Sequence, residues 1–189
     1  MRPIVRLRER TITMEIPANP LNRHVVVDLE TTGLSPRHGH RVIEIGAVAI
    51  ENCAITEEFS TLIDAGVPIP PEVQAIHGIT DEMLEGQPKP EEALPRFYAF
   101  IAGSVLVAHN AAFDIRFLRH EFARLKMTLP HRHLCTLEMS RRRLPRLMDH
   151  TLETIYPHLC PDAAFLRQNH RALDDARMTA KIWLKMEGG

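Results

Sequence analysis

The chain has 189 residues and a formal net charge of −1, with 44% hydrophobic and 25% charged residues. This composition excludes a disordered chain, and the length fits one domain with a short extension. The net charge alone does not indicate a nucleic-acid binder. No apolar run approaches the ~18–20 residues of a membrane helix. No apolar segment follows the N-terminal arginines, so we expect no signal peptide.

The first residues of the chain differ in pattern from the remainder. Residues 1–22 show no clear period, and the Pro-Ala-Asn-Pro stretch ending at Pro20 is typical of a linker. We therefore expect an N-terminal arm or linker over residues 1–22 and one domain over residues 23–189. The domain opens with residues 24–30, a short Val-rich run that predicts a buried central strand.

Two further strands follow the first. Residues 41–51 and 54–64 have the patterns of strands, and the tight connection at Asn52 and Cys53 predicts an antiparallel hairpin. A proline-rich loop is expected over residues 68–71, and no further element is predicted before Pro90.

The second half of the domain alternates helices and strands. Pro90 begins a predicted helix that Gly103 ends, and residues 105–109 predict a second buried strand. The remaining predicted elements are a helix over residues 111–126, a short strand near 134–137, a helix around Ser140, a helix capped by Thr151 and a last helix over residues 172–186. Antiparallel strands followed by alternating strands and helices predict an α/β fold with a mixed sheet and helices on both faces.

Two acidic residues end the first predicted strand. Asp28 and Glu30 are two positions apart, so both carboxylates point to the same face of the sheet. They lie at the carboxyl end of a central strand, where open α/β sheets bind ligands. Two close negative charges are costly unless a cation lies between them. Because Asp-x-Glu is a common pattern, two solvated acids at a strand end remain the alternative.

Polar residues also follow the second buried strand. Asp114 falls in the first turn of the next helix, where it either stabilises the helix N-terminus or belongs to a site. His109 and Asn110 at the strand end are expected to hold the turn, or the acidic side chains, by hydrogen bonds.

The start of the last predicted helix carries a further histidine and acid. His170 lies just before this helix and Asp175 lies on its first turns. An exposed surface histidine is the alternative for His170, and Asp174 remains a rival for Asp175. Together these positions supply four acids and one base at three strand or helix ends that could converge.

Four sequence motifs carry a resemblance to a known family. They are Asp-Leu-Glu-Thr-Thr-Gly-Leu at 28–34, Ile-His-Gly-Ile-Thr at 76–80, His-Asn-Ala-Ala-Phe-Asp at 109–114 and His-Arg-Ala-Leu-Asp-Asp-Ala at 170–176. In this order and spacing they resemble the DnaQ-like family of DEDDh exonucleases, which includes the proofreading epsilon subunits of bacterial replicative polymerases. The resemblance covers residues 24–186. It implies a ribonuclease-H-like fold, two bound divalent ions and 3′→5′ hydrolysis of phosphodiester bonds.

The resemblance also implies roles for individual residues. Asp28 and Glu30 match the first acidic pair, Asp114 matches the acid of the second motif, and Asp175 matches that of the third. His170 matches the histidine that marks the "h" branch, and its spacing selects Asp175 over the neighbouring acid. The turn that contains Thr31, Thr32 and Leu34 is expected to receive the 3′-terminal nucleotide. The other residues expected to contact substrate are His77, Asn110 and Phe113.

The expected cofactors are two Mg²⁺ ions, with Mn²⁺ as a substitute, because both favour oxygen ligands. Asp28 is expected to lie between both ions, Glu30 and Asp175 to complete one of them, and Asp114 to hold the other. His170 is expected to take the proton from the attacking water, since an imidazole with a pKa near ~6.5 suits that task.

The sequence thus predicts a metal-dependent 3′→5′ exonuclease that releases nucleoside 5′-monophosphates from single-stranded DNA or short RNA. Two alternatives remain: an oligoribonuclease or RNA-trimming enzyme of the same type, and a non-catalytic module of this fold that binds nucleic acid or a polymerase. The complete set of four acids disfavours the non-catalytic module.

The expected partner is the 3′ end of a nucleic acid, and a DNA polymerase is a possible second partner. The chain ends about thirteen residues after Ala176, which leaves no room for a polymerase-binding tail, so we expect a stand-alone exonuclease. A basic cluster formed by Arg141, Arg142, Arg143 and Arg146 is either a solvated helix face or a contact for the strand backbone.

The three cysteines, Cys53, Cys135 and Cys160, are odd in number and unrelated in spacing. Such a set argues against a disulfide framework. We therefore expect a reduced, cytoplasmic protein with no membrane partner.

Overall fold

The structure, a computed structural model, describes residues 23–161 and 171–187. Within these ranges the strands are β1 (Arg23–Thr31), β2 (Val42–Glu51), β3 (Ala54–Leu62), β4 (Val105–Ala108) and β5 (His133–Cys135). The α-helices are α1 (Pro71–His77), α2 (Asp81–Leu84), α3 (Pro90–Phe100), α4 (Ala111–Arg124), α5 (Thr136–Arg143), α6 (Leu152–Leu159) and α7 (Ala172–Glu187), and a short 3-10 helix spans Pro36–His38.

The strands form one mixed sheet in the order β3-β2-β1-β4-β5. β1, β2 and β3 are antiparallel neighbours, whereas β4 runs parallel to β1 and β5 runs parallel to β4. Asn52 and Cys53 join β2 to β3 with φ angles of 50° and 61°, the left-handed backbone that tight hairpins favour. The predicted α/β fold, with antiparallel hairpin strands and parallel strands in one sheet, is confirmed.

The two-residue period of β1 sends its side chains to different layers of the domain. Val27 and Leu29 belong to the core that includes residues of α3 and α4. Val26 belongs to a second core with residues of α7 on the opposite face. Asp28 and Glu30 continue the row of Val26 and therefore lie on the α7 face, at the carboxyl end of the strand.

Two short helices differ from the prediction. α1 and α2 lie between the proline-rich segment and Pro90, where the sequence predicted no helix. Both are too short to show a full amphipathic repeat, so periodicity does not reveal them. α1 nevertheless begins at Pro71 and is followed by Gly78 with a φ of 72°, which is the usual proline start and glycine stop of a helix.

The short strand predicted near residues 134–137 is wrong at its carboxyl end. β5 ends at Cys135, and α5 begins at once with Thr136. Thr136 is buried, and its hydroxyl donates a hydrogen bond to the carbonyl of Ala108 at 3.4 Å. Because no loop separates strand from helix, the sequence carries no turn signal at this boundary.

Some predictions fall beyond what the structure describes. The N-terminal arm over residues 1–22 and His170 lie outside the described residues. The extent of the domain, residues 23–189, stays a prediction. None of the described helices combines the length and apolarity that crossing a membrane requires.

Candidate active site

Three carboxylates from two elements converge at the carboxyl end of β1. Asp28 and Glu30 come from β1, and Asp175 comes from the first turn of α7. Each offers an oxygen, and these oxygens lie within 4.8 Å of one another. The rival Asp174 lies elsewhere, because its carboxylate accepts a hydrogen bond from Arg177 at 3.0 Å.

The approach of α7 depends on a glycine in the neighbouring strand. Gly46 of β2 is the register partner of Asp28. A Cβ at this position would lie 2.1 Å from the backbone carbonyl carbon of Ala172, so only glycine lets the helix backbone rest on the sheet. This close approach is what brings the first turn of α7, with Asp175, to the end of β1.

Glu44, two residues before this glycine, binds the chain at the start of α7. Its buried carboxylate accepts hydrogen bonds from the Arg171 guanidinium at 2.6 and 3.0 Å and from the backbone N–H of Ala172 at 3.1 Å. Glu44 is also the register partner of Glu30. The ion pair therefore fixes the segment that directly follows His170.

Neither of these β2 residues was predicted from the sequence. A glycine inside a strand pattern does signal a close backbone approach, so Gly46 could have been found. Glu44 carries no comparable signal, because the charge that it pairs with is far away in the chain.

Asp114 reaches the site from the opposite face of the sheet, on the first turn of α4. Its side chain is 4% exposed. It is not one of the three carboxylates that lie within 4.8 Å of one another, but its charge affects Asp28. The structure thus brings together the four predicted acids from β1, α4 and α7.

The acids hold protons unusually tightly. Burial, followed by the charge of Glu44, raises the pKa of Glu30 to about 8. Burial raises the pKa of Asp114 to about 8, and burial together with the charge of Asp114 raises the pKa of Asp28 well above its usual range. Crowded carboxylates of this kind favour the protonated form unless a cation offsets their charge. The oxygen donors present therefore fit a hard divalent cation.

A cleft of 670 Å³ opens beside Glu30. The turn after β1, residues of α1, and Phe113 of α4 line it. Leu34 is 78% exposed and Ile76 is 62% exposed, so both place apolar side chains at the cleft without burying them in the core. Such apolar and aromatic groups are suited to pack against the flat face of a base. Ile76 is a cleft residue that was not predicted from the sequence.

Hydrogen bonds hold the polar residues of this cleft in place. The Thr31 hydroxyl donates to the carbonyl two residues on at 2.8 Å. The Thr32 hydroxyl accepts from the backbone N–H of Arg41 at 3.0 Å. The buried ring of His77 accepts at Nδ1 from the backbone N–H two residues on at 3.0 Å. These contacts shape the turns on both sides of the cleft.

Asn110 lies apart from the other predicted substrate residues. It precedes α4 with a left-handed φ of 63° and lines a separate groove, together with His109. The ring nitrogens of His109 contact the Thr136 hydroxyl at 3.0 Å and the backbone carbonyl of His150 at 2.9 Å. His109 therefore holds the turn, and these contacts do not involve the acids.

Solved structures that are similar to this chain include exonucleases. Exonuclease X in complex with 5′ overhanging duplex DNA has a TM-score of 0.70 and 28% identity, covering 87% of this chain and 91% of that one. The nuclease domain of 3′hExo, a DEDDh family member bound to rAMP, has a TM-score of 0.75 at 15% identity, covering 88% and 92%. The second match shows the fold alone. Fold and acid cluster together define a ribonuclease-H-like exonuclease domain.

The model of the exonuclease family RNase_T matches residues 25–183. The DNA polymerase III epsilon subunit of Pasteurella multocida is 36% identical over 182 residues, which is 92% of this chain and 71% of that protein. The PolC-type DNA polymerase III of Caldanaerobacter subterraneus subsp. tengcongensis is 39% identical over 175 residues, 93% of this chain but only 12% of that protein. The chain thus spans about an eighth of that polymerase.

The chain belongs to this exonuclease family. Membership confirms the resemblance predicted from the four motifs and the predicted enzyme class, an exonuclease. The family and the acid cluster together indicate the use of a divalent metal.

Proposed function

We propose that this protein is a 3′→5′ exonuclease that hydrolyses single-stranded DNA or short RNA and releases nucleoside 5′-monophosphates. One observation carries the proposal. The carboxylates of Asp28, Glu30 and Asp175 approach within 4.8 Å beside a cleft that has room for a nucleotide.

The four acids would hold two Mg²⁺ ions, with Mn²⁺ as a substitute. Asp28 would be a ligand of both ions. Glu30 and Asp175 would complete the ligands of one ion, and Asp114 would hold the other. When bound, such ions stabilise the charge that develops on the attacking and leaving oxygens of a phosphodiester. The raised pKa values of Glu30 and Asp114 support this assignment, because a cation would relieve the same crowding that raises them.

The cleft would take the terminal nucleotide. Leu34, Ile76 and Phe113 would pack against its base, since these apolar side chains line the cleft beside Glu30. His170 would accept the proton of the attacking water. The residue that follows it in the sequence, Arg171, is held by Glu44 at the start of α7.

Related structures support the substrate class. E. coli exonuclease I, which shares 16% identity and a TM-score of 0.75 with this chain, is solved in complex with a dA16 oligonucleotide. Exonuclease X is solved with duplex DNA and 3′hExo with rAMP. Because the relatives of higher identity are named as polymerase III subunits or polymerases, we propose a DNA polymerase as the protein partner, in place of the stand-alone exonuclease expected from the sequence.

The test uses 5′-labelled DNA and RNA oligomers of the same sequence, incubated with and without Mg²⁺. We expect a ladder of labelled products that shorten one nucleotide at a time, and no products with chelator. An oligomer blocked at its 3′ end should be degraded slowly, and a circular single strand should survive. Rapid cutting of the circle would show an endonuclease and contradict the proposal.

A matched pair of variants tests the acid cluster. Asp28→Asn should lower the rate by more than ~100-fold, because even a residue that only supports a metal ligand is worth ~10–100-fold. Asp174→Asn is the control, since that carboxylate binds Arg177 and not the cluster. In chelator at about pH 7, where no bound metal adds to stability, both proteins should unfold at similar temperatures. A fully active Asp28→Asn protein would contradict the metal site.

A further inference from the structure

Three arginines of the basic cluster, Arg141, Arg142 and Arg143, form the end of α5 and have no part in the proposed function. Arg142 lies 3.8 Å from Glu138, and Arg143 lies 3.9 Å from Glu187. Within the described ranges, Arg141 has no acidic partner, although it is exposed on the same helix. Of these three consecutive arginines, Arg141 is therefore the one without an ion pair among the described residues.

Arg141 lines a groove of 600 Å³, which we call the Arg141 groove; its other lining residues include Asn110, Met148, Asp149, His150 and Glu153. The contacts of His109 with Thr136 and with the carbonyl of His150 join the end of β4 to α5 and to the loop before α6. The walls of the groove are thus held by hydrogen bonds across three segments of the chain.

Strand pairing places this groove next to the acids. Val26 of β1 pairs with Val107 of the parallel strand β4, and continuing that register by two residues sets Asp28 level with His109. Neighbouring strands lie roughly 4.8 Å apart. β5 pairs with β4 on its far side and leads directly into α5. The Arg141 groove and the terminal-nucleotide cleft therefore flank the acid cluster along one edge of the sheet.

The groove has the chemistry to hold a nucleic-acid strand. A guanidinium binds phosphate oxygens in a fixed, forked geometry. Met148 is fully exposed beside Arg141, and a thioether packs well against an aromatic ring such as a base. Asp149 also lines the groove, but its carboxylate accepts hydrogen bonds from the backbone N–H and hydroxyl of Thr151 at 3.1 and 2.9 Å. Those hydrogen bonds hold the carboxylate within its own loop, and Glu153 is a second acid in the lining, so Arg141 is the side chain that would hold a phosphate in this groove.

We propose that the Arg141 groove binds the phosphate backbone of the strand upstream of the scissile bond, while the cleft beside Glu30 holds the terminal nucleotide. This inference rests on the proposed function. It assigns Arg141 to strand binding and leaves the chemistry of bond cleavage to the acids.

The experiment compares substrates that do and do not reach the groove. The p-nitrophenyl ester of thymidine 5′-monophosphate has one nucleotide, whereas a single-stranded oligomer of about ten nucleotides spans both sites. Arg141→Gln should raise KM for the oligomer by about fivefold to tenfold, the order expected for one charged hydrogen bond, and leave the ester kinetics unchanged. The salt dependence of log(kcat/KM) for the oligomer should become shallower by ~0.7, the value for one phosphate contact on a single strand.

Arg142→Gln is the matched control, because the Arg142 side chain faces Glu138. This variant should leave the kinetics on both substrates unchanged. If Arg141→Gln lowered kcat/KM equally for both substrates, or for neither, the inference would be overturned. Binding of a fluorescent oligomer with Ca²⁺ in place of Mg²⁺ separates the two proposals. If the wild-type protein hydrolyses nothing, the proposed function fails, and equal oligomer affinity of Arg141→Gln and wild type would still refute the groove.

Discussion

Asp114 is buried at the start of α4, and its protonation is linked to the stability of the fold. Its pKa of about 8 lies far above the ordinary 3.8, with burial as the main cause. A raised pKa means that the folded state binds the proton more tightly than the unfolded state does. This proton therefore adds to the free energy of unfolding. The contribution is fully present below the ordinary pKa of the carboxyl and is lost as the pH rises through about 8.

Replacing this acid should therefore stabilise the metal-free protein at alkaline pH. Asp114→Asn cannot ionise, so in chelator at about pH 9 its Tm should exceed that of the wild type by at least ~2–4 °C, the shift for about 1 kcal/mol in a protein of this size. Thermal unfolding followed by circular dichroism checks this, with measurements at about pH 4 as control, where the difference should disappear. A variant that is less stable than the wild type at alkaline pH would contradict the assigned protonation.

His170 has a predicted role that can be separated from metal binding. His170→Ala should slow hydrolysis by ~10²–10⁴-fold, the usual contribution of a general base. All four acids remain, so Mn²⁺ affinity should be unchanged in a titration. An exposed histidine without a role would show full activity at every pH. A variant that loses Mn²⁺ along with its activity would show that His170 supports the metals instead.

At the scale of elements, the contact between β2 and α7 assembles the site. Gly46→Ala should push α7 away from the sheet, because the added Cβ would lie 2.1 Å from the backbone of Ala172. We expect a loss of ~1–3 kcal/mol in the free energy of unfolding, the usual cost of overpacking. Mn²⁺ affinity should also fall, since Asp175 moves with the helix. Chemical denaturation and Mn²⁺ titration measure the two effects.

Gly66→Ala is the control for this variant. Gly66 has a φ of 69°, and a Cβ there would meet nothing within 4 Å. Alanine at this position should therefore cost only left-handed backbone strain, ~1–2 kcal/mol, without any change in Mn²⁺ affinity. Unchanged Mn²⁺ affinity in Gly46→Ala would show that α7 does not position Asp175 in the way that its packing implies.

At the scale of the whole molecule, metal binding and pH act on the same carboxylates. Protons occupy the acids below about pH 8, because the pKa values of Glu30 and Asp114 are raised to about 8. The increase in Tm caused by Mg²⁺ should therefore be larger at about pH 9 than at about pH 6, since fewer protons compete with the cation. Thermal unfolding with and without Mg²⁺ across this pH range measures the increase in Tm. An increase in Tm that is independent of pH would contradict the competition between protons and the cation.

The sequence alone determined the features that depend on neighbouring residues in the chain. The Val-rich run before Asp28 predicted a buried central strand, because a strand covered on both faces needs apolar residues on both. The two-residue spacing placed Asp28 and Glu30 on one face, and the tight link at Asn52 and Cys53 predicted the hairpin. The four motifs, in their order and spacing, were enough to predict the family.

Only the tertiary structure decided how these elements meet. Glu44 and Arg171 bind each other across 127 positions, and no local pattern predicts that contact. The glycine at position 46 signals a close backbone approach, but only the fold shows that Ala172 makes it. The same holds for Asn110, which the motif grouped with the terminal nucleotide but which lines the groove on the other side of the acids. Such contacts depend on the packing of helices against a sheet, and the spacing of residues along the chain does not encode which distant segments that packing will join.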